Sequence, residues 1–273
     1  MQKEANPRPR GGTCVFPGHL RALLERMSGY PLTVVEAPSG FGKTTAVREF
    51  LRETVRTNSS GNWYTCFGER PSKAWEGFCR LLGTVDMEAA QKLKRLFPPS
   101  VENLPDIAAV LGQCRCDGET FLVIDNYQLF ETDIPCGLIG AFSAHANENL
   151  HMVFITQPLP SCGGDIRHSG HIHRLDTKDF FFDRESTARL CRLSGADVSE
   201  RDLDYIQSVS EGWVSAILLQ ASNFRETGSF ARVPDMESLI ETAVWNRMPG
   251  ETRTFLMGAS LLDSFTPRQG AIA

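Results

Sequence analysis

The sequence predicts an α/β protein: a parallel sheet with helices on both faces, then a smaller all-helical region. Three observations carry this. Apolar runs of strand length (LTVVEA, TFLVID, HMVFIT) alternate with stretches of helical spacing through the first two thirds of the chain. These runs are apolar at successive positions rather than at every second one, as expected of strands covered on both faces. After about Lys178 the strand pattern does not return, and DRESTARLCRLSG, SERDLDYIQSVS, GWVSAILLQASNF, MESLIETAVWNRM and GETRTFLMGASLL all read as helices.

In chain order, residues 1–18 are polar and rich in Pro and Gly and are expected to form a flexible tail. HLRALLERM follows as a helix with Leu20, Leu23 and Leu24 on one side. The strand LTVVEA leads through APSGFG into the helix TTAVREFLRETV. NWYTCF, from Asn62 to Phe67, is the next strand, and SKAWEGFCRLLG and LPDIAAVLGQCR are helices. TFLVIDNY, PCGLIGAFSAHA, HMVFIT and HIHRL continue as strand, helix, strand and short final strand. The sheet region is therefore expected over 19–179 and a helical region over 180–230. Ser199 and Asp202 stand where capping residues mark a helix start, and ETGSFARVPD reads as a linker.

Composition excludes several classes. The 273 residues hold 41% hydrophobic and 22% charged residues, ordinary for a globular protein. A net charge of -5 leaves no basic footprint for gripping nucleic acid within this stretch. The N-terminus lacks the apolar core of a signal peptide, and no apolar run approaches the roughly 20 residues of a membrane helix, so a cytoplasmic location without membrane contact is expected. Eight cysteines in a chain this long read as reduced, mostly buried thiols. Cys162, His168, His171 and His173 form the one local cluster with metal-ligating side chains; loop and strand-edge positions are the plainer reading.

The chemistry concentrates in APSGFGKT. Residues Ala37 to Thr44 match the phosphate-loop pattern G-x-x-x-x-G-K-[ST], with Ala37 at the first glycine position. An apolar strand precedes the motif and a helix follows it, as it requires. Pro38, Ser39, Gly40, Phe41 and Gly42 form a loop whose glycines let backbone N–H groups turn toward phosphate oxygens. Lys43 supplies a cation for the β- and γ-phosphates. Thr44 supplies a hydroxyl for Mg2+, with Thr45 next to it at the helix start. The second half of such a site is an acid at the tip of a buried strand, and FLVID supplies Asp125 as the carboxylate that holds Mg2+ through water. Asn126 follows it; its amide can orient water but cannot take a proton as a carboxylate does. Thr156 and Gln157 end the next strand and are candidate polar sensors of a γ-phosphate. Arg167 and Arg174 follow, neither in an obvious arginine-finger position. Binding is thus better supported than rapid turnover, and a P-loop kinase or ATPase is the alternative.

Taken together, LTVVEAPSGFGKTTAVREFL, FLVIDNYQLF, LHMVFITQPLP, SEGWVSAILLQAS and ETAVWNRMPGETRTFLMGASLLDSFTP resemble, in order, the ATPase region of the large LuxR-type transcriptional activators. These belong to the STAND class of signal-transduction ATPases. The resemblance implies a P-loop NTPase sheet of ASCE type, a helical domain, and the start of a winged-helix domain over 236–273. It implies an ATP/ADP switch with Mg2+, slow hydrolysis, self-association on activation, and DNA contact only through a C-terminal helix-turn-helix outside this sequence. Three positions depart from the family: Asn126 replaces a second acid, Gln157 an arginine, and Val214 the proline of a GWP turn. Trp213 in that turn is expected to anchor the helical core.

Overall fold

The computed structural model describes residues 15–54, 62–130, 135–159, 171–230, 236–243 and 245–260. Helix α1 (Gly18–Glu25) precedes strand β1 (Leu32–Glu36), and α2 (Lys43–Thr54) follows the glycine-rich loop. Strand β2 (Trp63–Thr65) comes before helices α3 (Pro71–Gly83), α4 (Met87–Lys94) and α5 (Leu104–Gly112). Then come β3 (Thr120–Asp125), α6 (Pro135–Ser143), β4 (Leu150–Thr156) and β5 (Ile172–Leu175). The five strands are parallel in the order β2-β3-β4-β1-β5. The expected α/β sheet is therefore present, with β4 between β1 and β3.

The sheet buries both faces, as the unbroken apolar runs require. On one face Leu32, Val34, Leu122, Ile124, Met152 and Phe154 pack under α3, α4, α5 and α6, with Trp75, Phe78 and Phe142 at the centre. On the other, Val35, Phe121, Val123, Val153, Ile155 and Leu175 meet α1 and α2 through Leu20, Leu24, Val47 and Phe50. Successive strand residues alternate between faces. Asp125, two positions beyond Val123, therefore belongs to the α2 side.

Several expectations are corrected. The NWYTCF strand shortens to Trp63–Thr65, the three residues in register with β3, and among the described strands none pairs with its other edge. Helix α4 joins those read from the sequence; Asp86 caps it by accepting from the Glu88 and Ala89 N–H groups. Among the described cysteines, Cys66, Cys79, Cys114, Cys116 and Cys191 are free, four of them buried. Cys136 is disulfide-bonded, against the expectation that the thiols are reduced. His173 Nε2–H donates to the Leu23 carbonyl at 2.8 Å, and the ring stacks on Tyr30. Cys162, His168 and Arg167 lie outside the described residues. No group of three His, Cys, Asp or Glu suited to a metal ion occurs among the described residues.

A second compact unit begins at Phe182. It comprises α7 (Arg184–Leu193), α8 (Glu200–Ser210), α9 (Val214–Thr227), α10 (Met236–Ala243) and α11 (Gly250–Ala259). Ser199 caps α8 by accepting from the Asp202 N–H. Helix α9 takes in Glu226 and Thr227 of the expected linker and ends at Gly228, whose φ of 73° closes it. Trp213 is half-buried at the start of α9, not central to the core. The left-handed pair Glu211 and Gly212 turns the chain there, and Leu203, Ile206, Ala216 and Ile217 form the buried interior instead. No described helix is long and apolar enough to cross a membrane.

Candidate functional site

The site forms where β1, β4 and β3 end, beneath the first turn of α2. The loop from Ala37 to Gly42 reverses through Gly40 and Gly42, whose φ values of 80° and 79° only glycine adopts readily. Ala37 does not share this conformation; it is absent from the positive-φ positions and fully buried, so a methyl group is tolerated where the pattern has glycine. Its N–H donates to the Thr156 carbonyl at 3.3 Å, seating the loop on the end of β4.

Lys43 opens α2 and is buried. Its ammonium donates to the Ala37 carbonyl at 2.7 Å and the Pro38 carbonyl at 2.8 Å, so it lies back across the loop it belongs to. Burial lowers its pKa, and the negative charge of Asp125 partly opposes this. Both facts fit a cation held over a loop that presents N–H groups and a helix start.

Thr44 and Asp125 meet although they are far apart in sequence. The Thr44 hydroxyl donates to Asp125 Oδ1 at 3.1 Å, and the Asn126 N–H donates to the same oxygen at 3.0 Å. The contact sets a hydroxyl and a carboxylate, both oxygen donors of the kind a hard cation and its water shell take, side by side at the start of α2.

The remaining expected residues divide. Pro38, Ser39 and Thr45 are exposed around the loop, and Gln157 is exposed at the tip of β4. The Phe41 ring packs edge-on against Phe181 at 5.6 Å and against the apolar cluster under α2, so its side chain anchors the loop. Thr156 is only 1% exposed, and its hydroxyl points to the Gln157 carbonyl at 2.9 Å and Gln128 Oε1 at 3.3 Å. Thr156 is thus turned into the fold, while Gln157 beside it stays exposed. Asn126 is left-handed, with φ 58° and ψ 44°, and its Nδ2 faces the Cys66 carbonyl at 3.5 Å. Asparagine tolerates this backbone better than most residues. Arg174 is engaged by Glu36 at 2.8 Å across β5 and β1.

Two residues were missed in the sequence. Gln128 bonds the end of β4, and Glu69 stands beyond the end of β2. Tyr64 and the Phe67 N–H both donate to the Glu69 carboxylate. Burial pushes its pKa up, but those hydrogen bonds outweigh burial and hold it below the usual carboxylate range. Neither residue lies in a spacing motif; both depend on which strands are neighbours.

No family model matches the chain. Over 269 residues, 92% of its length, it is 24% identical to the HTH-type transcriptional regulator MalT of Yersinia pestis (strain Pestoides F). It is likewise 24% identical over 264 residues to the MalT regulator of Yersinia enterocolitica. The chain spans 29% of the length of these relatives. Among solved structures, a Walker-type ATPase of Pyrococcus abyssi superposes with a TM-score of 0.55 at 18% identity, covering 94% of this chain and 80% of that one. A Signal Transduction ATPase with Numerous Domains carrying a tetratricopeptide-repeat sensor, from Pyrococcus horikoshii, gives 0.59 at 16% identity, covering 97% and 37%. The chain is similar over most of its length to the N-terminal part of MalT-type transcriptional regulators and has the fold of the Walker-type and STAND ATPases.

Proposed function

We propose that this chain is the ATP/ADP-binding switch module of a longer, DNA-binding transcriptional regulator, and that it hydrolyses ATP slowly. The carrying observation is the 3.1 Å contact between Thr44 and Asp125 beside a glycine loop crossed by a buried lysine. In this reading Gly40 and Gly42 let the loop wrap the phosphates, and Lys43 exchanges its two carbonyl partners for phosphate oxygens. Thr44 and Asp125 hold Mg2+. When bound, the ion neutralises phosphate charge and fixes the geometry of the β- and γ-phosphates. Asn126 and Gln157 orient polar atoms near the terminal phosphate, and neither supplies a base. The site is thus suited to holding a nucleotide more than to turning it over.

A switch requires unequal contact with two nucleotides. ATP and ADP differ at the γ-phosphate, so Lys43, Asp125 and Gln157 are the groups that distinguish them. Binding of inducer, self-association and promoter recognition are assigned to the longer protein; the similarity to HTH-type transcriptional regulators supports that assignment. A winged-helix start over 236–273 belongs to the same reading.

Isothermal titration with ADP in Mg2+ and in excess chelator, together with a multiple-turnover ATP assay, tests the proposal. Expected are saturable binding that weakens when Mg2+ is removed and turnover well below the roughly 10 per second typical of enzymes. Turnover at or above that rate favours the P-loop enzyme; no saturable binding in Mg2+ contradicts both.

A further inference from the structure

The end of β4 is tied on both sides. It lies between β1 and β3 in the sheet, so its tip stands between the start of the phosphate loop and Asp125. On one side the Ala37 N–H donates to the Thr156 carbonyl at 3.3 Å. On the other, a single side-chain oxygen collects two donors. Gln128 Oε1 accepts from the Gln157 N–H at 3.0 Å and from the Thr156 hydroxyl at 3.3 Å. Gln128 reaches that position because Asn126 turns the chain through a left-handed conformation directly after Asp125. The short turn Tyr127–Leu129 then carries Gln128 back over the sheet edge, while Tyr127 stacks on Phe154 of β4 at 4.4 Å and fixes the turn from below. Phosphate binding by the loop alone calls for none of this.

We propose that Gln128 is a positioning residue for the third phosphate of a bound nucleoside triphosphate: its amide oxygen clamps the tip of β4 to the turn that follows Asp125. The inference rests on the nucleotide-binding reading above and names how that site separates ATP from ADP. The loop serves the phosphates common to both nucleotides, and Lys43 reaches both these and the third. The groups specific to the third phosphate stand on two different strand ends, Asp125 on β3 and Gln157 on β4. With the clamp made, these ends are ordered before the nucleotide arrives. Without it, binding the third phosphate has to order them, and affinity falls. ADP does not call on Gln157 and is indifferent to the clamp.

Equilibrium binding of a fluorescent ADP and of a non-hydrolysable ATP analogue, measured on this chain in Mg2+, tests the idea. The variants are Gln128→Met, which keeps the length and removes the acceptor, Thr156→Val, their double mutant, and Lys43→Ala. Gln128→Met is expected to weaken the ATP analogue about tenfold, the size of two neutral hydrogen bonds, and to leave ADP within about twofold. Thr156→Val is expected to act in the same direction and less. The double mutant is expected to fall short of the sum of the two single changes, because they share the Thr156–Gln128 bond. Equal weakening of both nucleotides, or no change in either, overturns the clamp when Lys43→Ala has lost both. Wild-type affinity in Lys43→Ala is a different failure, that of the nucleotide site itself. If thermal unfolding shows that Gln128→Met does not fold, Thr156→Val decides: a loss confined to the ATP analogue supports the clamp, and any other pattern overturns it.

Discussion

Asn126 shows how one residue type answers to backbone and chemistry together. It stands where a second carboxylate would serve hydrolysis, yet its φ of 58° is a position where a side chain with Cβ is strained. Asn126→Ala is expected to lower stability by about 1 kcal/mol, as seen in chemical denaturation, because alanine lacks the local hydrogen bonding that eases this conformation. Asn126→Asp keeps that tolerance and adds a proton acceptor. It is expected to raise ATP turnover by about tenfold or more without loss of fold; unchanged turnover in the steady-state assay excludes the amide as the reason for slow hydrolysis. At this scale residue type and spacing singled out Lys43, Thr44 and Asp125, which the structure brings together. They were silent about Gln128, Glu69 and the Arg174–Glu36 pair, because each depends on strand neighbours that are far apart in the chain.

Among the elements, the strands with unbroken apolar runs were legible, since β1, β3 and β4 occupy the covered middle of the sheet. The edge strand β2 was harder to bound, because its residues are half-buried and no described strand pairs with its outer side. Helix α4 went unread because MEAAQKLK is short and polar; its start is marked by one capping carboxylate, and Ala89, Ala90 and Leu93 give it a narrow buried side. That side rests on α3, where Trp75 is 1% exposed and its indole N–H donates to the Leu93 carbonyl at 3.2 Å. Trp75→Ala is expected to cost about 3–5 kcal/mol, because it opens a large cavity between α3 and α4. Chemical denaturation of the sheet unit measures it. A loss below about 1 kcal/mol shows that α3 and α4 do not depend on that ring.

Across the molecule as a whole, stability is expected to respond to acid through a group remote from the loop. His145 follows α6, and burial, aided by the neighbouring His151 and opposed by the Pro31 carbonyl, pushes its pKa down to about 4. The unfolded chain, with an ordinary histidine pKa near 6.5, binds the proton more readily in between. The contribution is therefore fully present above about pH 6.5 and lost as pH falls toward 4. His145→Gln is expected to flatten the fall in melting temperature over that window; an unchanged slope assigns the acid response elsewhere. Nucleotide binding is a second response of the whole chain. At 100 times its dissociation constant a ligand of the folded state adds about 2.7 kcal/mol.

The central claim is that the loop around Gly40 and Gly42, Lys43 and the Thr44–Asp125 pair make one polyphosphate site. Equilibrium titration of an ATP analogue in Mg2+ into the wild-type chain and into Lys43→Ala, each confirmed folded, tests it most directly. The expected result is saturable wild-type binding that weakens by at least about tenfold in the variant, the loss of a charge-assisted contact. Equal affinity in the two proteins contradicts it.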